Sequence, residues 1–327
     1  MKATRVHAIR IHSHGGPEVL RWEEIDLAPP GPREVLVRQT AVGLNYIDTY
    51  HRTGLYPLDL PAVLGREAAG IVEAVGTGTV ELREGDRVAY ALHPGAYAEA
   101  QLVPEACLVP LPAEIGDRTA AAMMLKGLTA HYLVRRTHRV APGDAVLIHA
   151  AAGGVGSIAC QWAKHLGATV IGTVGSEDKA ELARANGCDH TLLYREEDVV
   201  ARVREITRGR GVRVVYDSVG RATFEQSLDC LAPLGLLVSF GQSSGSVAPL
   251  DVGRLATKGS LFLTRPTLAT YVARREDLLA AARELFELVR GGVLRVGIGQ
   301  TYPLREAERA HRDLEARRTT GSTLLIP

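Results

Sequence analysis

The stretch that decides the fold is Val146-Leu147-Ile148-His149-Ala150-Ala151-Ala152-Gly153-Gly154-Val155-Gly156. An apolar run suited to a buried parallel strand passes into a glycine-rich turn, and helical periodicity follows. Gly153 and Gly156 let backbone N–H groups approach a pyrophosphate seated on the N-terminus of the next helix. Ala150 and Ala152 stand where G-x-G-x-x-G has its first two glycines, so the motif alone reads equally as a tight turn with no ligand. Context carries the reading. Ile158, Ala159, Trp162, Ala163 and Leu166 recur at helical spacing, Gly167 suits a helix stop, and residues 168–174 give a second apolar strand. Strand, glycine turn, helix and strand complete a βαβ unit of about thirty residues, a dinucleotide cradle.

The tip of that second strand selects the cofactor. An NAD-preferring site usually places Asp or Glu there for the adenosine ribose, whereas this chain has Thr173-Val174-Gly175-Ser176. Ser176 is expected to cap a helix over residues 177–185, which puts Glu177 and Asp178 in its first turn as structural acids. Lys179 is placed to meet a 2′-phosphate, and Tyr194, closing the strand 191–193, to offer a phenolic donor or a ring beside adenine. NADPH is therefore favoured over NADH. The alternative for Lys179 is a solvated helix lysine.

The same alternation continues. Helices are expected over 199–206 and 222–231 and strands over 212–216, 236–240 and 260–264, a doubly wound parallel sheet. Ligands of such sheets lie beyond the carboxyl ends of the strands, so Asp217-Ser218-Val219-Gly220 and Gly241-Gln242-Ser243 are expected to face the nicotinamide half. Ordinary turn chemistry is the competing account.

At 327 residues, with 46% hydrophobic and 23% charged residues, the chain suits two globular lobes. A net charge of +1 with no basic run asks for neither nucleic acid nor an anionic membrane. No apolar stretch reaches spanning length, and Met1-Lys2-Ala3-Thr4-Arg5 lacks the apolar core of a signal peptide, so a cytoplasmic protein is expected. Arg outnumbers Lys 33 to 5 and Asn occurs only at 45 and 186, which fits a GC-rich genome or a hot environment. Cys107, Cys160, Cys188 and Cys230 contain no C-x-x-C pair and read as buried small hydrophobes, with no metal site.

The first third differs. Short apolar runs at 35–42, 69–75, 86–91 and 96–103, divided by Pro and Gly, indicate a mostly antiparallel, barrel-like lobe. Helical periodicity returns at Leu278, Leu279, Ala282, Leu285, Leu288 and Val289, ended by Gly291-Gly292. A helix over 307–316 and a strand over 323–326 follow. The tail lacks dinucleotide-fold turns and is assigned to the first lobe. The division is thus 1–123 with 270–327 for the catalytic domain and 124–269 for the cofactor domain, with the active site expected in the cleft between them.

Several motifs in order then become specific. They are Gly43-Leu44-Asn45-Tyr46-Ile47-Asp48-Thr49-Tyr50, Gly54-Leu55-Tyr56-Pro57, Leu64-Gly65-Arg66-Glu67-Ala68-Ala69-Gly70, Leu125-Lys126-Gly127-Leu128-Thr129-Ala130, the 150–156 turn, Tyr216-Asp217-Ser218-Val219-Gly220, and Gly259-Ser260-Leu261 with Thr264-Arg265-Pro266. Together they resemble the medium-chain dehydrogenase/reductase superfamily, and within it the NADPH:quinone oxidoreductases related to zeta-crystallin. The resemblance runs from about Gly15 to the C-terminus. It implies a Rossmann domain and a GroES-like catalytic domain.

The resemblance also implies an absence. Zinc alcohol dehydrogenases of the superfamily carry Cys, His and Cys where this chain has Asn45, Arg66 and Leu125, so no usual zinc site is expected. Without a Lewis acid to lower an alkoxide's pKa, the reducing direction is expected, toward an acceptor electrophilic enough to take hydride unaided. A quinone or a conjugated enone qualifies. Residues that the resemblance sets against NADPH are Asn45, Thr129, Gly153, Gly154, Val155, Gly156, Gly175, Ser176, Lys179 and Tyr194. Asp48, Ser218, Phe240 and Gly241 complete the expected cofactor surface, and Lys126 and Arg317 are weaker members, each balanced against a surface cation.

Asn45, Tyr46, Tyr50 and Arg66 are the expected substrate pocket, with Arg66 in the old ligand position capping or blocking it. A core role for either tyrosine is the alternative. Asp48, Glu67 and His51 are the candidates for proton transfer, and a structural hydrogen-bonding role outweighs it for both acids, so no catalytic acid is assigned. An enone or enal reductase is the nearest competing function, and a non-catalytic NADPH-binding or RNA-binding protein the competitor from another class. Finally, apolar, β-prone residues 260–264 at the sheet's last strand are expected to build a homodimer by edge pairing across a two-fold axis.

Overall fold

The computed structural model describes residues 3–327. Met1 and Lys2, which open the N-terminal run read above for a signal peptide, lie outside them. The chain forms two compact units, one running to Lys126 with Arg274–Arg290 and Val296–Pro327, the other comprising Gly127–Ala273 and Gly291–Arg295. The tail returns to the first unit, and the short segment Gly291–Arg295 goes with the second.

The first unit begins with β1 (Thr4–Ile11) and β2 (Arg21–Leu27), an antiparallel pair. Next come β3 (Glu34–Leu44), α1 (Tyr46–Arg52), β4 (Ala62–Val63), β5 (Glu67–Val75), β6 (Arg87–Ala91), β7 (Ala100–Pro104) and β8 (Val109–Pro110). Helix α2 (Asp117–Tyr132) contains the point of division.

The second unit alternates without interruption: β9 (Ala145–Ile148), α3 (Gly154–His165), β10 (Thr169–Val174), α4 (Glu177–Ala185), β11 (His190–Leu193), α5 (Val199–Ile206), β12 (Val212–Asp217), α6 (Phe224–Cys230), β13 (Leu231–Ser239), α7 (Gly253–Thr257), β14 (Phe262–Thr264) and α8 (Leu268–Tyr271). Its six strands are all parallel in the order β11-β10-β9-β12-β13-β14. Val146, Leu147 and Ile148 are fully buried, as a parallel strand covered on both faces requires.

Helix α9 (Arg275–Arg290), β15 (Ile298–Pro303), α10 (Ala307–Glu315) and β16 (Ser322–Ile326) complete the first unit. There the order β15-β16-β3-β5-β6-β8, with β7 also on β3, is antiparallel except for the parallel β15–β16 pair. Its core gathers Ile9, Val35, Val42, Leu64, Tyr90 and Tyr97 from β1, β3, the end of β4, and β6 with the segment after it. This is the GroES-like and Rossmann pairing expected above.

Local chemistry moved several element ends. Ser260 has φ 56° and Gly259 φ 109°, so β14 starts at Phe262 rather than at 260. Strand β13 begins five residues before the expected Leu236, passing through Leu234 at φ 61°. Helix α6 is correspondingly shorter than 222–231. The run at 96–103 yields a strand only from Ala100, with Ala98 bridging singly to Ala8.

Candidate active site

In the second unit the glycine turn is built as the dinucleotide reading requires. Ala150 takes a left-handed conformation (φ 54°), its carbonyl accepts from the Gly153 N–H at 2.9 Å, and Gly153 is the N-cap of α3. A Cβ on Gly156 would lie 2.3 Å from the Ala150 carbonyl oxygen and 2.9 Å from Ala151 Cα, so only glycine lets α3 start this close to the turn. No side chain among the described residues caps this end, and its first turn holds no acid. The free N–H groups and the dipole of a twelve-residue helix thus remain available to an anion, which the diphosphate of a dinucleotide fits.

At the tip of β10, a Cβ on Gly175 would meet Tyr194 Oη at 2.9 Å, so Gly175 and Tyr194 face each other. Ser176 occupies the N-cap position of α4 in extended conformation but makes no side-chain cap bond, a correction to its expected role. Its hydroxyl is exposed and not committed to the helix. Glu177 is paired with Arg184, as a structural acid would be. Lys179 is half-buried one turn into α4. Arg195, which sequence reasoning passed over, holds its guanidinium 5.9 Å from the Tyr194 ring centroid. Only its place next to Tyr194 could have signalled it.

The β12 turn is fixed by its own carboxylate. Asp217 Oδ1 accepts from the Val219 and Gly220 N–H groups at 2.8 and 3.0 Å, and the Asp217 carbonyl from Phe240 N–H at 2.8 Å. A Cβ on Gly241 would sit 2.4 Å from the Ser218 carbonyl oxygen, which explains that glycine. Ser218, Phe240 and Gly241 are therefore brought together, each partly exposed. Thr129, on α2, is buried at 6% exposure.

In the first unit, Asn45 is the N-cap of α1 (φ −131°, ψ 152°), and its N–H donates to Asp48 Oδ2 at 2.9 Å, one arm of a capping box. Asn45 Nδ2 donates to Glu67 Oε2 at 2.8 Å, Lys126 Nζ reaches the same oxygen at 2.7 Å, and the Leu125 N–H reaches Glu67 Oε1 at 2.7 Å. Glu67 is fully buried and Lys126 nearly so. Gly43 makes the room: a Cβ there would lie 2.2 Å from Glu67 Oε2. Lys126 is thus no surface cation.

Asp48 is fully buried, and burial pushes its carboxyl up to about 6 against the Asn45 N–H, the Tyr97 hydroxyl and the nearby Lys126 and Arg66 charges. Its Oδ2 takes both hydrogen bonds while Oδ1 is buried without a partner. Arg66 Nε donates to His51 Nε2 at 2.9 Å and Nη1 to the Leu92 carbonyl at 2.7 Å, so its guanidinium is committed to two anchors. Burial and that neighbouring charge hold His51 down at about 4. Tyr50 is only 8% exposed, its ring packed 5.6 Å from Tyr46 and 5.1 Å from Tyr56, while Tyr46 is half-buried. Glu315 and Arg317 both act electrostatically on Tyr46, which places the exposed Arg317 (φ 59°), just past α10, in the α1 neighbourhood.

The description "Alcohol dehydrogenase GroES-like domain" matches residues 31–113, and "Zinc-binding dehydrogenase" matches residues 154–285. A quinone oxidoreductase of Pseudomonas aeruginosa is 55% identical over 98% of this chain and 99% of that protein. The chain belongs to the quinone oxidoreductases of the medium-chain dehydrogenase/reductase superfamily. Among solved structures, the Escherichia coli quinone oxidoreductase complexed with NADPH superposes with a TM-score of 0.97 at 53% identity, covering 98% of this chain and all of that one. A 2-haloacrylate reductase from Burkholderia is also similar, at 48% identity over 98% of this chain and 99% of that protein.

The three positions that the resemblance compared with zinc ligands are occupied by Asn45, bound to Glu67, by Arg66, bound to His51 and Leu92, and by Leu125, whose N–H serves Glu67.

Proposed function

We propose that the protein is a zinc-independent reductase that transfers hydride from NADPH to a quinone. The carrying observation is the uncapped glycine turn on α3, joined to near-full-length identity with quinone oxidoreductases, one of them solved with NADPH. NADPH supplies the hydride, and the chain's own residues do the rest. Gly154, Val155 and Gly156 offer N–H groups to the diphosphate, and Gly153, its own N–H held by the Ala150 carbonyl, shapes the turn beside it. Ser176, Lys179 and Tyr194 form the 2′-phosphate end, with Gly175 leaving room between strand tip and tyrosine. Ser218, Phe240 and Gly241 line the nicotinamide half, and Thr129 is a further cofactor contact. Asn45, Asp48, Lys126 and Arg317 are read as further cofactor contacts, and Tyr46, Tyr50 and Arg66 as the acceptor pocket. Lys126 is held in place by Glu67 at 2.7 Å. The protein is read as a cytoplasmic homodimer whose net charge of +1 gives nucleic acid no basic surface to bind. Among the described residues no helix is long and apolar enough to cross a membrane.

The 48% identity with a 2-haloacrylate reductase favours one second reading, reduction of an electron-poor conjugated alkene. Steady-state assays of quinones, enones and 2-haloacrylates with both nicotinamides test the proposal. Turnover of a quinone with NADPH, kept after prolonged chelator treatment, is the expected result. One tightly held zinc per chain, or activity lost with its removal, would overturn zinc independence.

A further inference from the structure

Strand β9 ends on Ile148, and the next residue, His149, is 1% exposed. Its Nδ1 lies 2.9 Å from Thr173 Oγ1 on β10, and its Nε2 lies 3.0 Å from Ser227 Oγ on α6. Ser227 Oγ donates in turn to Asp217 Oδ2, at the end of β12, at 2.9 Å. Strands β10, β9 and β12 are consecutive in the sheet. One line of side chains therefore ties three adjacent carboxyl ends and one helix, beneath the point where the strand order reverses and a dinucleotide is expected to lie.

The direction of the line follows from the donors available. Ser227 has a single O–H, spent on the Asp217 carboxylate, so its oxygen accepts the His149 Nε2–H; Nδ1 then accepts from the Thr173 hydroxyl. Every donor points toward Asp217. Burial holds the ring below the usual histidine range against the opposing pull of Asp217, which favours the neutral form this pattern needs. A hydrolytic role for the Ser–His–Asp set is excluded, since Ser227 donates to the acid instead of the imidazole and is fully buried.

Two members of the line, His149 and Asp217, each hold a segment assigned above to the cofactor. His149 is followed directly by Ala150, which opens the glycine turn, and its own N–H donates to the Tyr216 carbonyl at 3.0 Å. Asp217 carries the Val219 and Gly220 N–H groups on its other oxygen. We propose that His149 is a positioning residue that locks the glycine turn to the Asp217 turn, so that the two cofactor-facing segments hold one spacing before NADPH arrives. A site fixed in advance loses less conformational freedom on binding, and the gain appears as cofactor affinity. This inference rests on the NADPH reading of those two turns.

Fluorescence titration with NADPH, thermal unfolding and steady-state kinetics on the unmodified full chain, His149→Leu and His149→Gln test it. His149→Leu should weaken NADPH at least tenfold while the KM for a quinone stays within about threefold. His149→Gln, whose amide nitrogen can donate to Ser227 as Nε2 does, should recover to within about threefold of the unmodified protein. Unchanged NADPH affinity in His149→Leu with only a lowered Tm would overturn the proposal, as would equal weakening in both variants. If His149→Leu does not fold, Ser227→Ala breaks the same line and should weaken NADPH; unaltered affinity there also overturns it. Failure of the unmodified protein to bind NADPH overturns the cofactor reading and this inference with it, and its own titration separates that case from the others.

Discussion

The Tyr97 hydroxyl donates to Asp48 Oδ2 at 2.9 Å, linking the start of α1 to a residue 49 positions further along the chain. The same hydroxyl oxygen lies 3.0 Å from His311 Nε2, and His311 Nδ1 lies 2.9 Å from Arg52 Nη1. Arg52, only 1% exposed, forms two further bonds with Glu315 and one with the Gly15 carbonyl. Because Arg52 can only donate, Nδ1 of His311 accepts and its Nε2–H donates to Tyr97. α10 is thereby fixed to α1 through a buried polar line whose members are all satisfied except Asp48 Oδ1.

The line has an acid–base consequence. Burial, helped by Arg52, holds His311 at about 3, well below its unfolded value of about 6.5, so its contribution to stability is present above pH 6.5 and lost as pH falls toward 3. Asp48 runs the other way: with its carboxyl at about 6, its contribution is fullest below its unfolded value of about 3.9 and is lost as pH rises through 6. Between pH 4 and 6 the two slopes oppose each other. Asp48→Asn keeps an oxygen for both donors and removes the acid, so its stability should climb more steeply over that interval, by about 2–3 kcal/mol more than in the parent. Urea midpoints at four pH values would decide it, and parallel curves would reject it.

Glu67 and Lys126 form a buried pair at 2.7 Å, and removing one member strands the other charge. Lys126→Met should cost about 3–5 kcal/mol, because the Asn45 amide and Leu125 N–H alone remain for the Glu67 carboxylate. The double variant Glu67→Gln with Lys126→Met should cost less than Lys126→Met by itself. Denaturant midpoints of the three proteins give the comparison; a double variant weaker than either single one would refute the pairing argument.

Lys179→Ala should weaken NADPH far more than NADH, since only the former carries a 2′-phosphate. An ordered charge-assisted contact is worth about 1.5–3 kcal/mol, roughly tenfold to more than a hundredfold in affinity. Equal losses for the two cofactors in parallel titrations would show that Lys179 does not read the phosphate. Arg195→Ala, beside the Tyr194 ring, should move the same ratio in the same direction.

Strand β14 closes the six-stranded order, and it leaves Phe262 59% and Leu263 38% exposed. An edge of this composition is suited to pairing with a second copy. Phe262→Glu puts a charge there that a monomer tolerates and a paired edge does not, so light scattering at micromolar concentration should report a dimer for the parent and a monomer for the variant. A parent that scatters as a monomer would end the edge-pairing proposal.

The sequence by itself determined what depends on near neighbours. The βαβ unit around the glycine turn was legible because an apolar strand, a helical stripe and the stereochemistry of Gly156 are encoded within thirty residues. The parallel sheet followed from the same periodicities. Short elements were harder. Helix α1 has seven residues, rich in tyrosine and β-branched side chains with poor helix propensity, and the structure gives it a capping arm from Asp48 to the Asn45 N–H.

Only the tertiary structure decided the polar interior. Nothing in local pattern joins Asp48 to His311 through Tyr97, His149 to Asp217 through Ser227, or Lys126 to Glu67, whose partners lie tens to hundreds of residues apart. The reason is physical. Periodicity records which side chains leave water, because burial of apolar area is additive and independent of direction. A buried charge or hydroxyl instead survives only where a specific donor or acceptor meets it within about 3 Å, a condition set by where the folded chain brings distant segments together.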